Sequence, residues 1–291
     1  MIPMLLILLS SAVGLFEGIF IKKYNTRHGK GGFLFTAIVS LFSMLFFVLK
    51  DLVLGDGHLT FSPAMLPYAI AAGVFYCSAS FLTYVALGCG SFTLSMLILS
   101  YSGVFSILYG LIFLRERLSV FAYIGLALVM ISLFLTRAEK KKDEAEKKLS
   151  LLWFITIGIS VIGSGMFGVL MRMQQVRFDA PLDNEFMTVT LGFSALTLFI
   201  IGLIKNGKEL GYLLRHGGLY AALSGLSNGA TNALSLIVTT MMAVSLASPL
   251  KAGTKILFSF LVSLIVFRER FSKRQLAGVA LGALALVLLN I

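Results

Sequence analysis

Ten apolar runs in succession, each long enough for a helix to cross a bilayer, constrain this chain more than any other feature. A hydrocarbon core of ~30 Å needs ~20 mostly apolar residues per helix. On that count the runs fall near 2–21, 32–54, 64–87, 91–114, 119–136, 150–172, 183–204, 217–240, 243–266 and 273–290. Of the 291 residues 58% are hydrophobic and only 13% charged, where a soluble domain carries about 25% charged residues. Such a surface cannot stay in water, so the chain reads as an all-α integral membrane protein. A soluble enzyme, a disordered tail protein and a disulfide scaffold are excluded. Strands of a β-barrel would alternate in character over ~10 residues, and these runs do not. The first run has no basic segment before it and no clean small-residue cleavage site. It is expected to be a retained helix rather than a signal peptide.

The net charge of +11 would suggest nucleic acid in a soluble protein. Here the basic residues sit in short clusters between apolar runs, without the solvated framework that presents a basic patch to nucleic acid. They report sidedness instead. An even number of spans puts both termini on one side. One set of loops holds seventeen lysines and arginines, in the clusters Lys22–Lys30, Arg137–Lys148, Lys205–Arg215 and Arg268–Arg274. The other set holds five: Lys50, Arg115, Arg117, Arg172 and Arg177. The positive-inside rule makes the first set cytoplasmic, which places both termini outside an inner (plasma) membrane. The remaining two, Lys251 and Lys255, lie inside the ninth run. Residues 137–149 form the most polar stretch and read as a solvated cytoplasmic linker, with anionic lipid headgroups as the alternative partner.

The linker separates two similar halves, 1–136 and 150–291. Residues 112–133, IFLRERLSVFAYIGLALVMISL, align with 265–286, IVFRERFSKRQLAGVALGALAL, at a constant shift of 153. The shift superposes Arg115 on Arg268, Glu116 on Glu269, Arg117 on Arg270, Ser119 on Ser272 and Gly125 on Gly278. VGLFEG (13–18) is weakly similar to SGMFGV (164–169). Five spans per half is odd, so the second half would enter the membrane from the opposite side. Inverted repeats of this kind are common in secondary transporters, with substrate sites near the midplane between repeats.

On these features the sequence resembles the drug/metabolite transporter superfamily, specifically its ten-helix EamA-like members. The resemblance rests on the two R-E-R, Ser, Gly-rich-helix units at Phe113–Leu135 and Phe267–Leu289, on Tyr84–Leu87 (Y-x-A-L) closing the third span, and on the length with its charged central linker. It implies a basket of ten helices around a central cavity, alternating access and the movement of small organic solutes. One departure stands out. Where many members carry a proline about thirteen residues before each R-E-R glutamate, this chain has Gly103 and Ile256, with Pro249 seven residues earlier than the latter. Bending of the fourth and ninth spans is expected to differ accordingly.

Charges inside spans are costly and usually face a cavity or a partner. Lys255 lies near the centre of the ninth span and Lys251 one turn before it, on the same helical face. Pro249 and Gly253 interrupt this segment and can free backbone groups beside it. The two lysines either receive an anionic group of a substrate or pair structurally. Glu17 sits in the Gly14–Gly18 segment of the first span, where close packing would bury it. It is a candidate for proton coupling or cation binding, or for a salt bridge to a nearby lysine. In the eighth span Ser224, Asn228, Thr231, Asn232, Ser235 and Thr239 recur at three- and four-residue steps, a stripe that suits cavity lining and helix–helix hydrogen bonding alike. Tyr76, Ser80 and Tyr101 on the third and fourth spans suit an adaptable pocket.

Gly163–Gly168 satisfies G-x-G-x-x-G but lies in an apolar span, with no strand before it as the dinucleotide fingerprint requires; its glycines read as helix-contact positions. Cys77 and Cys89 read as packing residues. There is no P-loop, metal-ligand cluster or catalytic constellation, so no cofactor and no enzymatic activity are expected.

The reading is a secondary transporter of small anionic or zwitterionic metabolites, such as an amino acid, organic acid or phosphorylated compound. Export is favoured by the family resemblance. In it Lys251 and Lys255 hold the anion, Asn228, Asn232, Tyr76, Tyr101 and Ser80 orient the solute, and Glu17 couples protons. The alternatives are a proton-coupled exporter of cationic drugs using Glu17 and a non-transporting scaffold or receptor. Oligomeric state is not legible.

Overall fold

A computed structural model describes residues 2–54, 59, 61–90, 92–115, 120–136, 151–178, 182–266 and 273–288. Among them the chain forms helices α1 (Ile2–Arg27), α2 (Gly32–Leu54), α3 (Leu66–Cys89), α4 (Phe92–Ser100), α5 (Gly103–Ile112), α6 (Val120–Thr136), α7 (Leu151–Arg177), α8 (Asp183–Asn206), α9 (Leu210–His216), α10 (Gly218–Met241), α11 (Val244–Ile265) and α12 (Lys273–Leu288). A 3-10 turn, Gly207–Glu209, joins α8 to α9. Helices α1, α2, α3, α7 and α8, the last with its continuation to His216, are long and apolar enough to cross a membrane. At 1.5 Å per residue, α10 and α11 reach ~36 and ~33 Å; their polar stripes dilute their hydropathy.

The helices follow the apolar runs with two informative differences. The fourth run is broken. Backbone N–H groups of Tyr101, Ser102, Val104 and Phe105 bond carbonyls three residues back, a 3-10 tightening where a Ser-Gly pair invites a kink. By contrast α11 runs unbroken through Pro249. Helix α7 extends to Arg177, five residues beyond the expected end at 172.

The packing is reciprocal. α1 packs on α10 as α7 packs on α3, α2 packs on α10 as α8 packs on α3, and α1 packs on α11 as α7 packs on α5. α2 meets α8, α5 meets α11 and α6 meets α12. Exchanging α1 with α7, α2 with α8, α3 with α10, α5 with α11 and α6 with α12 maps these pairings onto one another.

Two buried aromatic clusters brace the helices. Tyr24, Phe35, Tyr84, Phe92 and Trp153 form one; Phe47, Tyr76, Phe167 and Phe186 belong to the other. Close contacts need small residues. A side chain at Gly163 would meet the Phe75 carbonyl at 3.0 Å, and one at Gly168 the Ser106 hydroxyl at 3.0 Å, so the glycines of the G-x-G-x-x-G stretch sit where α7 contacts α3 and α5. Leu52, Leu54, Phe113 and Ile204 lie largely exposed on the outside, the distribution expected of lipid-facing positions. Cys89 is exposed and Cys77 half-buried, so Cys89 does not take the packing role expected of it. The linker 137–149, Glu116, Arg117, Ser119 and the second R-E-R unit from Phe267 to Ser272 lie outside the described residues.

Candidate functional site

Helices α1, α3, α4, α5, α7, α10 and α11 enclose a cavity of about 300 Å³, room for roughly ten waters at ~30 Å³ each. Seven of the eight residues singled out in the sequence line it: Glu17, Tyr76, Ser80, Asn228, Asn232, Lys251 and Lys255. Tyr101 does not line it. It lies at the α4–α5 break and packs against the apolar cluster of Ile7, Ala247, Leu250 and Ile256.

Helix α10 organises the polar wall. Asn228 Nδ2 donates to both carboxylate oxygens of Glu17, at 3.1 Å each. Its Oδ1 accepts from Ser43 Oγ (2.7 Å), Tyr76 OH (2.8 Å) and Asn232 Nδ2 (2.9 Å). One amide thus ties α1, α2 and α3 to α10. Two turns further along, Ser235 Oγ accepts from Lys251 Nζ at 2.6 Å and itself donates to the Thr231 carbonyl at 2.6 Å. One turn beyond that, the Thr239 carbonyl accepts from Arg172 Nη1 at 2.7 Å.

Lys255 has a different status. Among the described residues no hydrogen bond or ion pair within 4 Å engages its ammonium; it is in electrostatic reach of Glu17, and Lys251 in turn of Lys255. The polar wall therefore carries one carboxylate and three cations, two of which, Lys251 and Arg172, are anchored on α10 one turn, ~6 Å, apart. Three cations against one carboxylate leave the wall net positive when all are ionised.

Arg172 is the functional-site residue that sequence reasoning missed. The sixth apolar run stops there, so from sequence alone it reads as an outer loop charge. With α7 extending to Arg177, Arg172 lies within the helix and lines the cavity. A signal was available, since Met171 and Met173 flank it. Around it Gln175 accepts from Thr239 Oγ1 at 2.9 Å and donates to Asp183 Oδ2 at 3.0 Å, closing that end of the cavity with polar contacts. At the other end Lys22 Nζ donates to the carbonyls of Leu87 (2.8 Å) and Gly90 (2.6 Å), tying α1 to the C-terminus of α3, where a cation also suits the helix dipole.

Among the described residues no group of three or more His, Cys, Asp or Glu side chains is placed to hold a metal ion.

Comparison with known proteins agrees with this architecture. No curated protein matches the chain, whereas 28 solved chains do. One of them, described only as a crystal structure of a protein, is 14% identical, with a TM-score of 0.68 over 99% of this chain and 98% of its own. At that identity it shows the fold alone. Residues 151–291 match the EamA-like transporter family. That match is in keeping with the drug/metabolite transporter superfamily the sequence resembles, and it points to a membrane transporter in general, a non-enzymatic family.

Proposed function

We propose that the chain is a secondary transporter of small metabolites bearing an anionic group, either anionic or zwitterionic, in which Lys255 receives the anion. The observation that carries this is the Lys255 ammonium, placed on the cavity wall with no hydrogen-bond or ion-pair partner among the described residues. A desolvated cation with no acceptor is costly, and a carboxylate or phosphate oxygen relieves it. Lys251 supports the same field from Ser235. Asn232, Tyr76 and Ser80 orient the solute, while Asn228, whose amide is spent on the protein, positions Glu17. A zwitterion would set its ammonium toward Glu17 and its anion toward Lys255. Glu17 couples transport to protons, because its ionised form is what the Asn228 amide accommodates.

The proposed architecture is ten membrane helices, with α4 and α5 as one span, in two inverted repeats separated by the linker 137–149. The reciprocal pairings of the two halves and the shift of 153 support it. Alternating access then moves one repeat against the other about the cavity. Both termini face outward and the linker faces the cytoplasm.

Uptake of L-glutamate, succinate and glycerol 3-phosphate into proteoliposomes tests this reading. At least one should accumulate, and Lys255→Met should abolish its uptake while leaving the protein monodisperse. Transport of all three unchanged in Lys255→Met, or of none, would reject it.

A further inference from the structure

We infer that Arg172 is a second anion station at the Asp183 end of the cavity, recognising carboxylate or phosphate oxygens before or after they reach Lys255. This rests on the anion-transport reading above and deepens it. Arg172 lines the cavity, yet among the described residues only Nη1 of its guanidinium is engaged by protein, by the Thr239 carbonyl at 2.7 Å and by Gln175 Oε1 at 3.4 Å. Its Nε is buried and has no acceptor among the described residues. Asp183, a carboxylate within electrostatic reach of Arg172, gives its Oδ2 to Gln175 and leaves Oδ1 buried without a partner among the described residues. It therefore does not satisfy the guanidinium. A buried N–H of a charged group left unpaired costs more than a neutral one, and the planar guanidinium fork matches an oxyanion that brings two acceptors.

The spacing suits a relay. Arg172 and Lys251 are anchored at Thr239 and Ser235, one turn of α10 apart, and Lys255 follows Lys251 by one turn of α11. An anion moving along the wall steps ~6 Å between cations. A solute with two acidic groups would bridge neighbouring stations, so dicarboxylates should use Arg172 more than monoanions.

The opposite end of the molecule supplies an internal control for a purely structural role. The similarity of VGLFEG to SGMFGV places Lys22 opposite Met173, next to Arg172. Lys22 caps carbonyls of α3 as Arg172 caps α10, the helix that corresponds to α3 in the reciprocal packing. A lysine therefore suffices for capping. If Arg172 only held Thr239, Arg172→Lys would be silent; if it recognises anions, losing the fork would not be.

The experiment uses the full chain in proteoliposomes. Arg172→Lys is expected to raise the KM for succinate about tenfold, with kcat changed by less than about twofold, and to raise that for glycerol 3-phosphate, which has one acidic group, less. In the unsubstituted protein, phenylglyoxal modification of Arg172, read by peptide mass spectrometry, should fall in the presence of succinate but not of equal ionic strength as chloride. That arm needs no variant. Protection should persist in Lys255→Met, which separates the two stations. Lys255-dependent uptake with an unchanged KM in Arg172→Lys and no protection would overturn the Arg172 station alone. Absence of both uptake and protection would overturn the anion reading with it.

Discussion

Asn228 holds Glu17 through a single amide nitrogen, 3.1 Å from each carboxylate oxygen. The arrangement has a fixed polarity, because three donors, Ser43, Tyr76 and Asn232, converge on the amide oxygen. Turning the amide over would set donors against donors, so the amide orientation follows from the network around it. Glu17 is consequently presented with a donor, which suits its ionised form. A proton on Glu17 weakens the one contact that joins α1 to this node.

Asn228→Asp should therefore be more damaging than its size suggests. The new carboxylate still accepts from Ser43, Tyr76 and Asn232 but has nothing to give Glu17, and two carboxylates then face each other. A loss of about 1–3 kcal/mol is expected for a buried polar group deprived of its partner, seen as a lower Tm in detergent together with lost transport. Adding Glu17→Gln restores a donor across the gap. The double variant should recover most of the Tm and none of the coupling to a pH gradient. A Tm equally low in single and double variants would show that the Asn228–Glu17 contact is not the cause.

Two glycines predict unequal responses to a methyl group. At Gly225 a Cβ would run into the Val39 carbonyl and stand 2.7 Å from Phe42 Cβ and 3.2 Å from the Ser43 amide nitrogen, so the obstacles are mostly backbone of α2. At Gly18 it would meet the terminal methyl of Met96 and the Phe92 ring at 3.1 Å, where at least the flexible methionine can yield. Gly225→Ala should cost several times more stability than Gly18→Ala, with overpacking penalties of about 1–3 kcal/mol at the former. Because α2 also carries Ser43, the displacement should reach the Asn228 node and lower transport as well. Equal Tm values for the two variants would contradict the packing of α10 on α2.

The helices were legible because bilayer thickness fixes run length, and α2 matches its apolar run residue for residue. Helix ends were less so. The charge at 172 reads in the sequence as the end of a span, yet α7 continues because Arg172 lines the cavity and Arg177 lies over the Tyr68 ring, 5.4 Å from its centre. Spacing along α10 put Asn228, Asn232, Ser235 and Thr239 on one face, but only tertiary packing decides what each meets. Hence Glu17 finds an asparagine rather than a lysine. Tyr101 illustrates the reverse error: its side chain belongs to a helix break that the sequence hinted at only through Ser102-Gly103, and it packs in the apolar cluster.

Lys22 gives a prediction at the other end of the cavity. Its ammonium satisfies two carbonyls at the C-terminus of α3, groups a helix end leaves unpaired. Lys22→Met should cost about 1.5–3 kcal/mol per lost charge-assisted bond at most, less where lipid headgroups or water take over. Lys22→Arg should retain most of the stability. If both substitutions leave the Tm untouched, the tie between α1 and α3 is carried by Asn25, whose Nδ2 donates to the Tyr84 carbonyl at 2.7 Å.

Sidedness can be read with thiols, and the chain supplies one reporter itself. Cys89 is exposed at the C-terminal end of α3, on the side of the seventeen-cation loops and of Lys22. Pro63 lies beyond the other end of α3, in the segment joining it to α2. With Cys77 replaced by Ser, a membrane-impermeant maleimide added to intact cells should leave Cys89 unlabelled until the membrane is permeabilised. In a background without either native cysteine, Pro63→Cys should label from outside and Lys142→Cys only after permeabilisation. The two ends of one helix then report opposite compartments, which makes the three results mutually checking. Labelling of Cys89 and Lys142→Cys in intact cells, with Pro63→Cys protected, would invert the orientation. The Arg172 end of the cavity would then face the cytoplasm, and the order in which an anion meets Arg172 and Lys255 during export would reverse with it.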